Sequence, residues 1–220
     1  MTFLQDGIAT STLQGVNATH KAARVALYPN EALGHYRMVA TSGLLTTIAA
    51  GSATAGHLFV VRAPSTNVMV VTRLVAKWRT VVGFTAAQEV AMKVFRLTGF
   101  TVNYSGGTDI ILTTPQFKKR TSYASTTIQQ ARIGGAGALT AGTQTLDTNE
   151  LASESTWELA VGVTVPKTRF DMACNSSSAG DHAIVLTGNE GLIVRNEILM
   201  GAAGTGRLIV EMDWFETATY

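Results

Sequence analysis

This sequence predicts an all-β fold, and three observations carry that prediction. Small and β-branched residues dominate (Thr, Val, Ala, Gly and Ser), while prolines number only four and Lys and Glu are sparse. Apolar residues recur with a period of 2 in several runs, the spacing at which alternate side chains of an extended strand share one face. Glycine-bearing turns separate those runs, as a chain that doubles back between strands requires.

At 220 residues the chain fits one large domain, or a domain with an arm. A chain of this size buries roughly 70% of its unfolded surface, so a sizeable core needs no covalent staples. The single cysteine, Cys174, excludes an intrachain disulfide framework and fits assembly in a reducing cytosol. A formal charge of +2 with 15% charged residues is too weakly basic to imply a nucleic-acid partner. So low a charge content also implies that partners cover much of the surface. No stretch approaches the roughly 20 apolar residues of a membrane span, and the N-terminus lacks the basic region of a secretory signal. The expectation is a soluble chain made without export, with no membrane partner.

Residues 1–35 form the first segment, expected to be an extended N-terminal arm. GVNATHKAARVALYPNEALGHYR holds no sustained period of 2 or 3.6, and Pro29 and Asn30 suit a turning path. Two readings stay open: a frayed terminus, or an arm ordered on a neighbouring subunit. Ordering costs roughly 1–2 kcal/mol per residue of backbone entropy, so the second reading needs buried apolar area. Val16, Val25, Leu27, Tyr28 and Leu33 could supply it.

Residues 36–220 read as the β domain. YRMVATSGLLTTIAA opens it with a strand broken at Gly43, and HLFVVRA follows until Pro64. NVMVVTRLVAKWRTVV is long enough for a helix. In strand register, however, Thr72, Leu74, Ala76 and Trp78 oppose Arg73, Val75, Lys77 and Arg79, the contrast of a half-buried strand. AAQEVAMKVFRLTGF is ambiguous between helix and strand and leans to strand from its flanks. Ser105-Gly106-Gly107 reads as a hairpin turn between two β-prone runs, and ARIGGAGALTAGTQTLDTNE as a long surface loop. Two more strands follow at Trp157–Val165 and His182–Thr187, with NSSSAGD separating the latter from Phe170–Cys174.

The end of the chain contains GAAGTGRL, which places Gly201 and Gly206 where a phosphate-binding loop has its glycines. Such a loop must open a helix, whose N-terminal N–H groups hold the anion. Here RLIVEMDWF alternates cleanly, with Leu208, Val210, Met212 and Trp214 opposed to Arg207, Ile209, Glu211 and Asp213. The glycines therefore lead into a strand, and the expectation is a hairpin loop.

Catalytic patterns are sparse. His20, His35, His57 and His182 fit no metal-binding spacing, and one cysteine cannot build a structural zinc site. Asp181-His182 lacks a G-x-S-x-G partner, and strand neighbours point to opposite faces. Glu211 and Asp213 share a face and offer a paired-carboxylate geometry for glycoside hydrolysis, against the plainer reading of a solvated or interfacial sheet face. Arg73, Lys77 and Arg79 lack the interleaved aromatics of a nucleic-acid stripe, and Lys118–Arg120 reads as a solvated loop tip. No catalytic residue, cofactor or metal is expected.

A resemblance adds to this reading. ALGHYRMVATSGLLTTIAAGS, LFVVR, VTRLVAKWRTVVGFTAAQEVAMKVFRLTGF, ARIGGAGALTAGTQTLD and HAIVLTGNEGLIVRNEILMGAAGTGRLIVEMDWFE stand in an order similar to that of tailed-bacteriophage virion structural proteins. The likeness runs from about Val16 to Tyr220 and is strongest to capsid cement, or decoration, proteins. It implies a jelly-roll-like antiparallel β-sandwich, assembled as a homotrimer on the outer capsid surface and bound to the major capsid protein. It also implies no enzymatic activity, with the arm residues Val25, Leu27 and Tyr28 lacing onto neighbours. The alternative is a tail or fibre component that binds a receptor or glycan through loop-tip aromatics, for which Tyr104 and Tyr123 are the candidates.

Overall fold

The computed structural model describes residues 32–46, 56–112, 117–158, 168–173, 183–200 and 204–218. Within them the chain forms β1 (Ala32–Thr41), β2 (His57–Pro64), β3 (Val68–Val82), β4 (Gln88–Val102), β5 (Thr108–Asp109) and β6 (Ile128–Ile133). There follow β7 (Thr143–Leu146), β8 (Ala152–Glu158), β9 (Thr168–Ala173), β10 (Ile184–Leu186), β11 (Gly191–Asn196) and β12 (Thr205–Thr217). The predicted arm lies outside the described residues up to residue 31. Residues 32–35, assigned to the arm from sequence, belong instead to the first strand of the sandwich.

Two antiparallel sheets pack face to face. One runs β1-β12-β3-β10 with β9 also on β3; the other runs β5-β6-β2-β11-β4-β7 with β8 also on β4. Successive long strands change sheet: β1 and β3 lie in the first, β2 and β4 in the second. On the return, β11 inserts between β2 and β4, and β12 between β1 and β3. This interleaving is the jelly-roll order.

The alternation expected from sequence builds the core. Leu208, Val210, Met212 and Trp214 of β12 face inward beside Leu74, Ala76 and Trp78 of β3, against Val61 of β2, Leu192 of β11 and Met92 of β4. Tyr36 of β1 stacks on Trp214 at 5.3 Å between ring centroids, and its hydroxyl donates to the carbonyl of Ala124 at 3.1 Å. The ambiguous stretch from Ala86 to Phe100 is strand β4, whose Val90, Met92 and Val94 fill the same core.

Bulges correct the simple parity. Partners step from Asp213↔Arg73 to Trp214↔Val71, leaving Thr72 unopposed. Thr72 therefore does not share the Leu74 face; its hydroxyl donates to the carbonyl of Asp213 at 3.2 Å, and Met69 and Val71 turn inward before it. In β4, Gly99 takes a φ of 57°, a left-handed conformation that glycine adopts without strain. Beyond it Phe100 joins Leu97 in a second, smaller cluster with Val60, Phe95, Tyr104, Leu139 and Ile193.

Three turn assignments change. β5 pairs with β6 and not with β4, so Ser105-Gly106-Gly107 is a turn but not that of a two-stranded hairpin. GAAGTG carries the chain from β11 in one sheet to β12 in the other, so it is a crossover and not a hairpin loop. The expected surface loop from Ala131 to Glu150 includes the end of β6 and all of β7, and Leu139 within it is buried. Strand β8 ends at Glu158 and overlaps the predicted Trp157–Val165 strand only at its start, residues 159–167 being outside those described.

Candidate functional site

The outer face of β1-β12-β3 gathers a connected group of charged side chains. Alternation along β12 turns Arg207, Ile209, Glu211 and Asp213 outward, where β3 opposes them with Arg79, Lys77, Val75 and Arg73. Glu211 accepts from Lys77 through Oε1 and from Arg73 through Oε2, the latter at 3.1 Å. Arg37 of β1 approaches Glu211 at 3.5 Å and Asp213 at 3.9 Å. Lys119 reaches Asp213 at 3.4 Å, so the Lys118–Arg120 segment is more than a solvated loop tip. Neither carboxylate is open to water, their side chains being 13% and 10% exposed.

Lys77, hydrogen-bonded to Glu211, does most to hold that carboxyl below its ordinary value; burial opposes it and Arg73 adds to it. A glycosidase acid needs the opposite shift, toward a proton retained near neutrality. Glu211 is a fixed anion in an ionic lattice, so the pair makes a sheet-stapling face and is poorly suited to proton transfer.

A second polar cluster lies on the outer face of the other sheet. The Tyr104 hydroxyl and His57 Nδ1 are 3.2 Å apart, and Gln130 clamps the Tyr104 backbone through two 2.8 Å hydrogen bonds. Arg195 lies over the Phe95 ring at 4.5 Å and pairs with Glu197. Burial, then Arg195, pushes His57 down to about 4, so its ring is neutral at pH 7; burial also raises the Tyr104 phenol. Both side chains are closed off from solvent. Tyr104 is thus a core residue and not an exposed loop-tip aromatic. Tyr123 is half-buried beside His35, their rings 5.6 Å apart.

The arm candidates Val25, Leu27 and Tyr28 lie outside the described residues, as do Cys174 and Asp181-His182. What the sequence reading missed is Trp157, 66% exposed on β8. The signal was present: Ser153, Ser155 and Trp157 alternate with Ala152, Glu154 and Thr156, putting one large aromatic on a face of serines. Leu199, 60% exposed, and Val39, 56% exposed, are further apolar side chains in water.

Among the described residues, no His/Cys/Asp/Glu group could hold a metal ion, and no helix is long and apolar enough to cross a membrane. No protein-family model, curated protein or solved structure matches the chain.

Proposed function

We propose that the chain is a structural protein of a tailed-phage virion, a cement protein that binds the outer surface of the head. It assembles with itself, as a homotrimer, and with the major capsid protein, and it acts by docking and not by catalysis. The observation that carries this reading is Trp157, a stiff, two-thirds-exposed aromatic anchored on a strand of a jelly-roll sandwich. Aromatic side chains on rigid elements are the commonest energetic anchors of protein interfaces. The sequence likeness to virion proteins supplies the identity of the partner.

Packaged DNA strains the shell, and a protein that binds only the mature lattice stabilises it by mass action. Several identical sites on one oligomer raise the effective affinity without stronger individual contacts. The tail or fibre alternative is weakened by the burial of Tyr104, which leaves it only Tyr123.

The test is the chain's location in the particle. Heads and tails of the purified phage are separated, and the chain is identified by peptide mass spectrometry with its copy number relative to the major capsid protein. Abundant copies on heads in a fixed ratio are the expected result; a few copies confined to tails overturn it. Deleting residues 1–30 then tests the arm: head binding should be lost while the sandwich stays folded.

A further inference from the structure

Two arginines face each other on this sandwich where a sheet ordinarily places opposite charges or apolar partners. Arg207 of β12 and Arg79 of β3 are register partners, and both side chains are exposed. Like charges directly opposite on an antiparallel pair destabilise it. Elsewhere on the same face the chain meets this cost, because Asp213 opposes Arg73 and Glu211 gathers Lys77, Arg73 and Arg37. No described carboxylate pairs with Arg79 or Arg207, and Glu211, the nearest outward carboxylate along β12, is already occupied.

The surroundings of the pair are apolar. Val81 and Val82 are 49% and 48% exposed just beyond Arg79, and Ile209 follows Arg207 on the outward face. The register shift between Thr205 and Gly206 leaves Val81 unopposed at the end of the β3–β12 ladder. Two guanidinium groups beside valines offer forked N–H donors for one or two carboxylates, with an apolar shelf next to them.

We propose that Arg79 and Arg207 form an anion anchor for an acidic, partly apolar segment of another protein. A carboxylate placed between the two guanidiniums turns a repulsive pair into an attractive triad, so these arginines, paired with no described carboxylate, are arranged for a partner that supplies the missing charge. A nucleic acid fits less well. Its backbone demands a longer run of free cations and aromatic platforms, whereas these two arginines border valines, and the next cation on the face, Lys77, is already paired with Glu211. The site goes beyond the capsid reading and stands whether or not that reading holds.

The experiment uses the full chain and its Arg79→Gln/Arg207→Gln double variant. Fluorescence anisotropy measures binding of a short labelled peptide alternating glutamate with valine, and of a labelled oligothymidylate. The expected result is peptide binding that weakens about tenfold or more in the variant and falls with added salt, with weaker oligonucleotide binding. The melting temperature of the variant should equal or exceed that of the parent, since removing a like-charge pair costs the fold nothing. A functional anchor therefore loses binding while keeping or gaining stability. Peptide binding that is absent, or unchanged in the variant, overturns the proposal. Tighter binding of the oligonucleotide overturns it in favour of a phosphate polyanion. A lowered melting temperature overturns it in favour of a structural role for the pair.

Discussion

A Cβ on Gly206 would lie 2.1 Å from Cζ2 of Trp78, inside the indole ring's van der Waals surface. The glycine that resembled half of a phosphate loop is the floor on which a core tryptophan lies. Gly204 does the same for Phe84, where an added Cβ would come within 1.8 Å of the ring. Trp78 is held further by its Nε1, which donates to Thr80 Oγ1 at 2.9 Å, while that hydroxyl donates to the buried Glu158 at 2.7 Å.

Gly206→Ala should therefore destabilise the sandwich by about 1–3 kcal/mol through overpacking. Urea unfolding followed by tryptophan fluorescence measures it. Gly137, around which an added Cβ meets nothing within 4 Å, is the control. Gly137→Ala should be neutral, or stabilising by up to about 1 kcal/mol.

Glu216 is buried at the end of β12 and is fully engaged there. It accepts from the Thr127 N–H at 2.9 Å, the Thr127 hydroxyl at 2.6 Å, the Thr126 hydroxyl, and Trp214 Nε1 at 3.3 Å. Glu216→Ala strands those donors, each buried unsatisfied group costing about 1–3 kcal/mol. The expected outcome is a large drop in melting temperature. Glu216→Gln, which keeps an acceptor, should lose clearly less; equal losses would contradict the hydrogen-bonding account.

Acid should weaken the fold in two windows. Burial, then Arg195, lowers His57 from its ordinary value of 6.5 to about 4 in the folded chain, so between those values the unfolded state binds more protons. Stability then drops as pH falls from 6.5 to 4, by about 3 kcal/mol over the interval. His35, lowered by burial and then by Lys119, acts in the same direction. Glu211 follows at lower pH: its depressed carboxyl adds stability above its unfolded value near 4.5, and that stability is lost as pH falls through the folded one. Melting temperatures recorded from pH 7 to 3 should show both slopes. His57→Gln should flatten the upper one and Glu211→Gln the lower.

Trp157→Ala should leave folding stability within about 0.5 kcal/mol, because the indole is in water and fills no core position. Under the proposed function the same variant binds purified heads at least tenfold more weakly, as truncation of an interface anchor does. Head binding equal to that of the parent would remove Trp157 from the interface.

Much of the sandwich was legible because strand periodicity is local. Leu208, Val210, Met212 and Trp214 alternate in the sequence and line the core in the fold, and the same rule identified β3; β2 was marked by its apolar run up to Pro64, and β4 by its strand-like flanks. The rule fails where one residue slips the count. Nothing about Thr72 announces a bulge, because a bulge is a mismatch between two strands and belongs to neither alone. Tyr104, close to Gly106 and Gly107, looks like a loop tip until Gln130 holds its backbone and His57 and Phe100 pack against its ring.

The sequence by itself determined that this chain is all-β, that Leu208, Val210, Met212 and Trp214 share an inward face, and that Glu211 and Asp213 share the opposite one. Composition and turn residues are sufficient for the first, and alternation along a single strand for the other two. Only the tertiary structure decided which strands are neighbours, that GAAGTG crosses between sheets, that four cations surround the two carboxylates, and that Arg79 faces Arg207. Those facts depend on register between segments far apart along the chain, which is set when the two faces of the core close on each other and by no local preference.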